Sequence, residues 1–276
     1  MLMADRSEIL VHAFIQAGGR SSRMGTDKAW LEINGRSMVE YVLAAAEPVA
    51  ASLSIVINQA SPNANRYREL AARWNARLLY DLHDHKGPLG GINTALTHCG
   101  EHESALILAC DLPFITTEFL SFLCKIHQAG TQHSALSTPH FITVPTDQEG
   151  RLQPLTAIYD QACLPAIEEM LAADRLKVDR LFEKVPTGVI SFDAIADFGG
   201  SQLLFHNMNS SEDLQLSITK TQAEKFRLTL EQFDDNPVAH PGVHPKLIKA
   251  QREAIASQLE TLRQDIEAIE GQLKTN

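Results

Sequence analysis

Two arginines and a lysine, of which Arg23 and Lys28 are the candidates, stand among glycines in a short stretch, QAGGRSSRMGTDKAW, that follows directly on the apolar run Ile9–Ile15. Gly18 and Gly19 let the backbone turn sharply and bring bare N–H groups close to a ligand. Cationic side chains beside such amides suit a di- or triphosphate. The competing reading is a solvated turn whose charges are incidental. The stretch contains neither a Gly-Lys-Ser/Thr phosphate loop nor a GxGxxG fingerprint, so the standard nucleotide motifs do not account for it. Asp111 is a second candidate, because it ends an apolar run and precedes Leu112-Pro113. A carboxylate at a strand's carboxyl end, in a phosphate site, is suited to hold Mg²⁺. An aspartate that merely starts a turn before a proline has the same local sequence. In HNMNSSEDL (206–214), Asn209 or Asn207 could give an oxygen to a cation or hold a substrate, while Ser210 or Ser211 could equally cap a helix.

Such residues need a scaffold, and the apolar pattern supplies one. ILVHAFI (Ile9–Ile15), LSIVI (Leu53–Ile57), RLLY (Arg77–Tyr80) and ALILAC (Ala105–Cys110) read as short buried strands. Helical segments fall between and after them, at Ser37–Ala50, Asn65–Trp74, Gly90–His98 and Thr116–Ala129. Leu155–Ala173 and Arg175–Lys184 read as two further helices, with Asp174 available to cap the second. This β-α-β-α rhythm predicts an α/β fold with a doubly wound, mostly parallel sheet and helices on both faces. Ligands of such sheets lie at the carboxyl ends of the strands, where the glycine-rich stretch and Asp111 both fall.

The character changes near Ile218–Thr221, which divides the chain into a domain of residues 1–218 and a helical extension of residues 219–276. Thr221 to Glu224 forms a capping-box pattern for one helix, and Pro245 suits the first turn of a second. In that second helix Ile248, Ile255, Leu262 and Ile269 recur every seven residues, with Leu259, Ile266 and Leu273 interleaved. This coiled-coil-like seam suits a homo-oligomer or a docking partner, and equally a helix folded back on the chain.

Lys+Arg 24 against Asp+Glu 34 gives a net charge of -10, which argues against nucleic acid as a partner. Cys99, Cys110, Cys124 and Cys163 show no CxxC spacing and read as reduced, mostly buried thiols of a cytoplasmic protein. No apolar run approaches the ~20 residues of a membrane span.

Four stretches together resemble a known family. QAGGRSSRMGTDKAWLEING is similar to the LAGGxSxRMGxDKxLLxxxG string of the molybdenum cofactor guanylyltransferase family. DLHDHKGPLGGI (Asp81–Ile92), ACDLPF (Ala109–Phe114) and HNMNSSEDL match its later motifs in order. The resemblance runs from about Ile9 to Leu214 and does not reach the extension. It implies a Rossmann-like nucleotidyltransferase that moves GMP from GTP to the phosphate of molybdopterin, releases pyrophosphate and uses Mg²⁺. It also implies a site built from Gln16, Ala17, Gly18, Gly19, Asn58 and Asp81 for the nucleoside, with Asn58 and Asp81 open to a second reading as strand-end turn residues. Lys28 and Arg23 then serve the triphosphate, and Asp111 the metal. One position departs from the pattern: Gln16 stands where the family has leucine, at a place where the family contacts the base through backbone. The related cytidylyltransferases, which use CTP, usually carry Ala-Ala where this chain has Ala17-Gly18, and a non-catalytic scaffold of the same fold is the remaining alternative.

Overall fold

A computed structural model describes residues 10–17, 27–33, 35–83, 85–131, 140–196, 198, 204–205, 219, 227 and 245–273. The chain divides into two compact units, Met1–Asn207 and Met208–Asn276.

In the first unit, β1 (Val11–Gln16) is the hub of a seven-stranded sheet. A small hairpin of β2 (Glu32–Ile33) and β3 (Arg36–Ser37) leads into α1 (Met38–Ala46). The helix starts there because Ser37 and Glu40 form a capping box. β4 (Leu53–Ile57), α2 (Ala64–Arg73), β5 (Arg77–Tyr80), α3 (Gly87–Thr97) and β6 (Ser104–Ala109) continue the alternation. α4 (Thr117–Thr131) precedes β7 (Ile142–Pro145) and β8 (Thr156–Asp160); α5 (Leu164–Ala172), α6 (Asp179–Phe182) and β9 (Thr187–Ile190) follow. The strand order is β5-β4-β1-β6-β8-β7-β9, with β8 antiparallel to both its neighbours and every other pairing parallel.

Alternate residues of each strand feed two cores. Ala13 and Ile15 join Val42 of α1, Leu70 of α2 and Phe119 of α4 on one face. Phe14 and Ile107 join Leu89 and Ile92 of α3 and Met170 of α5 on the other. The central strands are therefore buried on both faces, which is why they read as continuous apolar runs.

Three expectations are corrected. The segment Leu155–Ala173 is not one helix: Thr156–Asp160 forms β8, and a 3₁₀ turn at Gln161–Cys163 separates it from α5. β-Branched and aromatic residues in TAIYD fill a buried strand slot between β6 and β7, and Pro165 marks the true helix start. Arg175–Lys184 holds only the single-turn α6. Asp174 caps nothing there; it sits at φ +54 and pairs with Lys86.

In the second unit, α7 (Pro245–Leu273) is a 29-residue helix. Between residues 252 and 268, Leu259 is buried and Ile255, Leu262 and Ile266 are half-buried, while the other side chains of that span are exposed. Those four are seam positions. The helix expected from Thr221 lies outside the described residues. No helix among the described residues is long and apolar enough to cross a membrane.

Candidate active site

At or just beyond the carboxyl ends of the parallel strands β1, β4, β5 and β6 stand four residues singled out by the sequence: Gln16 ends β1, Asn58 and Asp81 directly follow β4 and β5, and Asp111 lies two residues past β6. The chain moves from β1 outward to β4 and β5 and then crosses back to β6 on the other side of β1. This reversal opens a crevice above the strand ends, the usual ligand position in open α/β sheets. A cavity of about 460 Å³ lies there, lined by Gln16, Asn58, Asp81, Asp111 and Lys28 together with Lys86, Gly87 and Pro88. Ala17 continues β1 beside it, buried, with its amide donating to the Val56 carbonyl at 2.9 Å. Gly18, Gly19, Arg23, Asn207 and Asn209 lie outside the described residues.

Lys28 opens a 3₁₀ turn, Lys28–Trp30, whose position is set by Asp27. The Asp27 carboxylate accepts from the Ala29 amide at 3.2 Å, Asn63 Nδ2 at 3.0 Å and the Tyr67 hydroxyl at 2.8 Å. Tyr67 is fully buried, and its ring meets Trp30 at 4.9 Å between centroids, while the Arg66 guanidinium covers Trp30 at 3.9 Å. Burial first, then the neighbouring Cys110 and Asp27, pushes the Tyr67 phenol far above its ordinary range. Its hydroxyl therefore remains a donor at any working pH. The sequence reading missed Asp27, Asn63 and Tyr67. The aspartate directly before Lys28 was a local cap signal, but its partners lie 36 and 40 residues away.

Asp111 sits just beyond β6. Burial raises its carboxyl above the usual range, and the Lys28 charge opposes that rise. Neighbouring Cys110 has a thiol pushed well up by burial and by Asp111 and Asp27, so it is a poor nucleophile at neutral pH. Among the described residues no cluster of three or more His, Cys, Asp or Glu could cage a metal. Asp111 lines a nucleotide-sized cavity that Asp81 also lines, a setting compatible with the way Mg²⁺ is bound, through one or two carboxylates, phosphate oxygens and water.

Asp81 both shapes a turn and lines the cavity. Its Oδ1 accepts from the His83 amide and the Thr94 hydroxyl, each at 3.0 Å. Next to it, α3 starts at Gly87 rather than Gly90, with Pro88 in its first turn. Gly87 adopts φ +62, a left-handed conformation that glycine takes without strain. Lys86 precedes the helix, lines the cavity and pairs with Asp174 at 2.7 Å. Neither Lys86 nor its partner was anticipated as a site pair, since 88 residues separate them.

A mostly parallel sheet with a nucleotide-sized, cation-bearing crevice at its switch point is the scaffold of a nucleotide-binding α/β protein, and the family match makes the class that of the nucleotidyltransferases. The chain belongs to the family of MobA-like NTP transferase domains, whose family model matches residues 13–187. It is 31% identical over 214 residues to a probable molybdenum cofactor guanylyltransferase of Peptoclostridium acidaminophilum, covering 77% of this chain and 90% of that protein. A probable molybdenum cofactor guanylyltransferase of Pelotomaculum thermopropionicum is 32% identical over 201 residues, 72% of this chain and 88% of its own. Among solved structures, molybdopterin-guanine dinucleotide biosynthesis protein A from Archaeoglobus fulgidus superposes with a TM-score of 0.60 at 23% identity. That match covers 75% of this chain and 96% of the other, and it establishes the shared fold.

Proposed function

We propose that this enzyme transfers GMP from GTP to the terminal phosphate of molybdopterin, forming a dinucleotide and releasing pyrophosphate. The observation that carries the reading is the gathering of Gln16, Asn58, Asp81, Lys28 and Asp111 around one cavity, in a chain whose relatives in Peptoclostridium acidaminophilum and Pelotomaculum thermopropionicum bear that activity in their names. A phosphate oxygen of the acceptor attacks the α-phosphorus of GTP. The bond from the α-phosphorus to the bridging oxygen breaks, and its electrons leave with pyrophosphate. The nucleophile is already an anion, so no side chain has to remove a proton.

Two anionic substrates must approach, and the chain's task is to position them and offset their charge. Lys28, anchored through Asp27, neutralises charge on the departing pyrophosphate, and Arg23 shares that role. Asn58, Asp81 and the backbone of Gln16, Ala17, Gly18 and Gly19 hold the nucleoside. Asp111 would hold Mg²⁺, with Asn209 or Asn207 as a further oxygen donor or substrate contact. Bound there, the ion would stabilise charge developing on the phosphates. The net charge of -10 and the free cysteines suit a cytoplasmic setting.

Purified protein incubated with molybdopterin, Mg²⁺ and each of the four NTPs tests this. Pyrophosphate release with GTP is expected. Release with CTP alone identifies a cytidylyltransferase, and release with none removes the enzymatic reading.

A further inference from the structure

Lys86 and Asp174 each carry the wrong charge for the helix end they occupy. Lys86 is the residue on which α3 starts, and its side chain makes no capping hydrogen bond. A cation at a helix N-terminus opposes the helix dipole, and Ser, Thr, Asp or Asn is the usual choice there. Asp174 closes α5: its amide donates to the Leu171 carbonyl at 3.2 Å, and the next amide, of Arg175, donates to the Met170 carbonyl at 2.8 Å. That pattern takes glycine, or sometimes asparagine, at the left-handed position, which Asp174 fills at φ +54. Its carboxylate also stands at the negative end of the α5 dipole. The 2.7 Å ion pair between the two side chains is open to solvent, Lys86 being 33% and Asp174 73% exposed, so it offsets little of this. Stability of the fold therefore does not account for either residue.

The cavity does. Lys86 lines it, as does Leu176, two residues beyond Asp174. Lys28 lines it from the opposite side of the sheet: Ala29 and Trp30 of its turn join the core on one face, and Leu89 and Ile92 of α3 join the core on the other. The crevice thus has a lysine toward each face of the sheet, which suits a reaction that brings two anionic substrates together. We propose that Lys86 binds the phosphate of the acceptor, and that Asp174 masks it until the acceptor arrives, the lysine exchanging one anion for the other. This rests on the reading of molybdopterin as the acceptor. Lys86 is then an acceptor-binding residue, and Asp174 acts through it.

The test measures binding of molybdopterin and of GTP, by anaerobic calorimetry, to wild type, Lys86→Met, Asp174→Asn and the double variant. Lys86→Met should weaken molybdopterin binding roughly tenfold, the lower end for a hydrogen bond to a charged group. Asp174→Asn should tighten it about two- to fivefold, the worth of the exposed ion pair that no longer competes. In the double variant the asparagine should add nothing to the effect of the methionine. GTP affinity should change by less than about twofold throughout, because exposed charges are screened across the cavity. Asparagine suits the end of α5, so Asp174→Asn should melt no lower than wild type. Weaker molybdopterin binding in both single variants makes the pair a structural tie and overturns the proposal. A gain from Asp174→Asn that persists without Lys86 is simple repulsion and overturns it too, as does an equal shift for GTP. Wild type that binds GTP but not molybdopterin removes the acceptor reading and this proposal with it. Wild type that binds both, with variants that bind molybdopterin as wild type does, removes this proposal alone.

Discussion

Replacing Tyr67 with phenylalanine removes one oxygen atom from the anchor that holds the turn bearing Lys28, a lysine that lines the cavity. The ring keeps its packing on Trp30, and the lost element is the 2.8 Å donation to Asp27 together with a 3.2 Å approach to the Ala17 carbonyl. A hydrogen bond to a charged group is worth about 1.5–3 kcal/mol, and here it is made by a fully buried side chain. For a domain of this size that loss should lower the melting temperature by roughly 3–10 °C. Asp27 keeps Asn63 and the Ala29 amide, so the turn bearing Lys28 should loosen rather than unfold. Displacement of a catalytic group by an ångström can cost about a hundredfold in rate, so kcat/KM for GTP should fall by between about threefold and a hundredfold. Scanning calorimetry and steady-state pyrophosphate release, run on the same preparations, give both numbers. A variant that melts lower as expected but turns over GTP at the wild-type kcat/KM would refute the claim that this anchor places Lys28.

Asp111→Asn should leave the ligand-free fold as stable or more so, because it removes a carboxylate whose ionisation is opposed by burial. Transfer should slow by about a thousandfold, on the order of 4 kcal/mol of lost metal assistance, and a rate above a tenth of wild type would show that Asp111 is not the principal ligand. Asp147 ties the turn that leads to Gln153 and Leu155. Burial alone would raise its carboxyl, but the Arg151 amide and guanidinium and the Glu149 amide more than offset this and hold it low. A depressed folded value means that the stabilisation is complete above the unfolded value of about 3.9 and drains as pH falls through the folded one. Asp147→Asn should therefore melt below wild type at pH 7, with the gap narrowing under pH 4; an unchanged gap would exclude this linkage. We propose that the extension serves assembly or docking, so truncation after Ile218 should preserve GTP binding and lower the molar mass seen by light scattering, whereas loss of GTP binding would place the extension in the domain core.

The parts of this fold written in local apolar runs were legible in the sequence: β1, β4, β5 and β6 are each buried or half-buried strands of nearly continuous hydrophobicity. Their carboxyl ends carry Gln16, Asn58, Asp81 and Asp111, so the place of the cavity these residues line followed from the rhythm of the chain. β8 was hidden because its apolar residues run straight into those of α5, and only pairing with β6 and β7 makes TAIYD a strand. β7 and β9 are four-residue strands with few apolar positions, and neither stands out from a loop by pattern. The anchors escaped for a different reason. Asp27 with Tyr67, and Lys86 with Asp174, are pairs made by the sheet's topology, and nothing local in the sequence joins them.

A crystal structure of the full chain with Mg²⁺ and a non-hydrolysable GTP analogue tests the central claim most directly. The account predicts the base between Gln16 and Asp81, the triphosphate at Lys28, and the ion on Asp111, all within the cavity at the carboxyl ends of β1, β4, β5 and β6. A nucleotide bound away from that crevice, or bound there with neither Lys28 nor Asp111 near its phosphates, would contradict it.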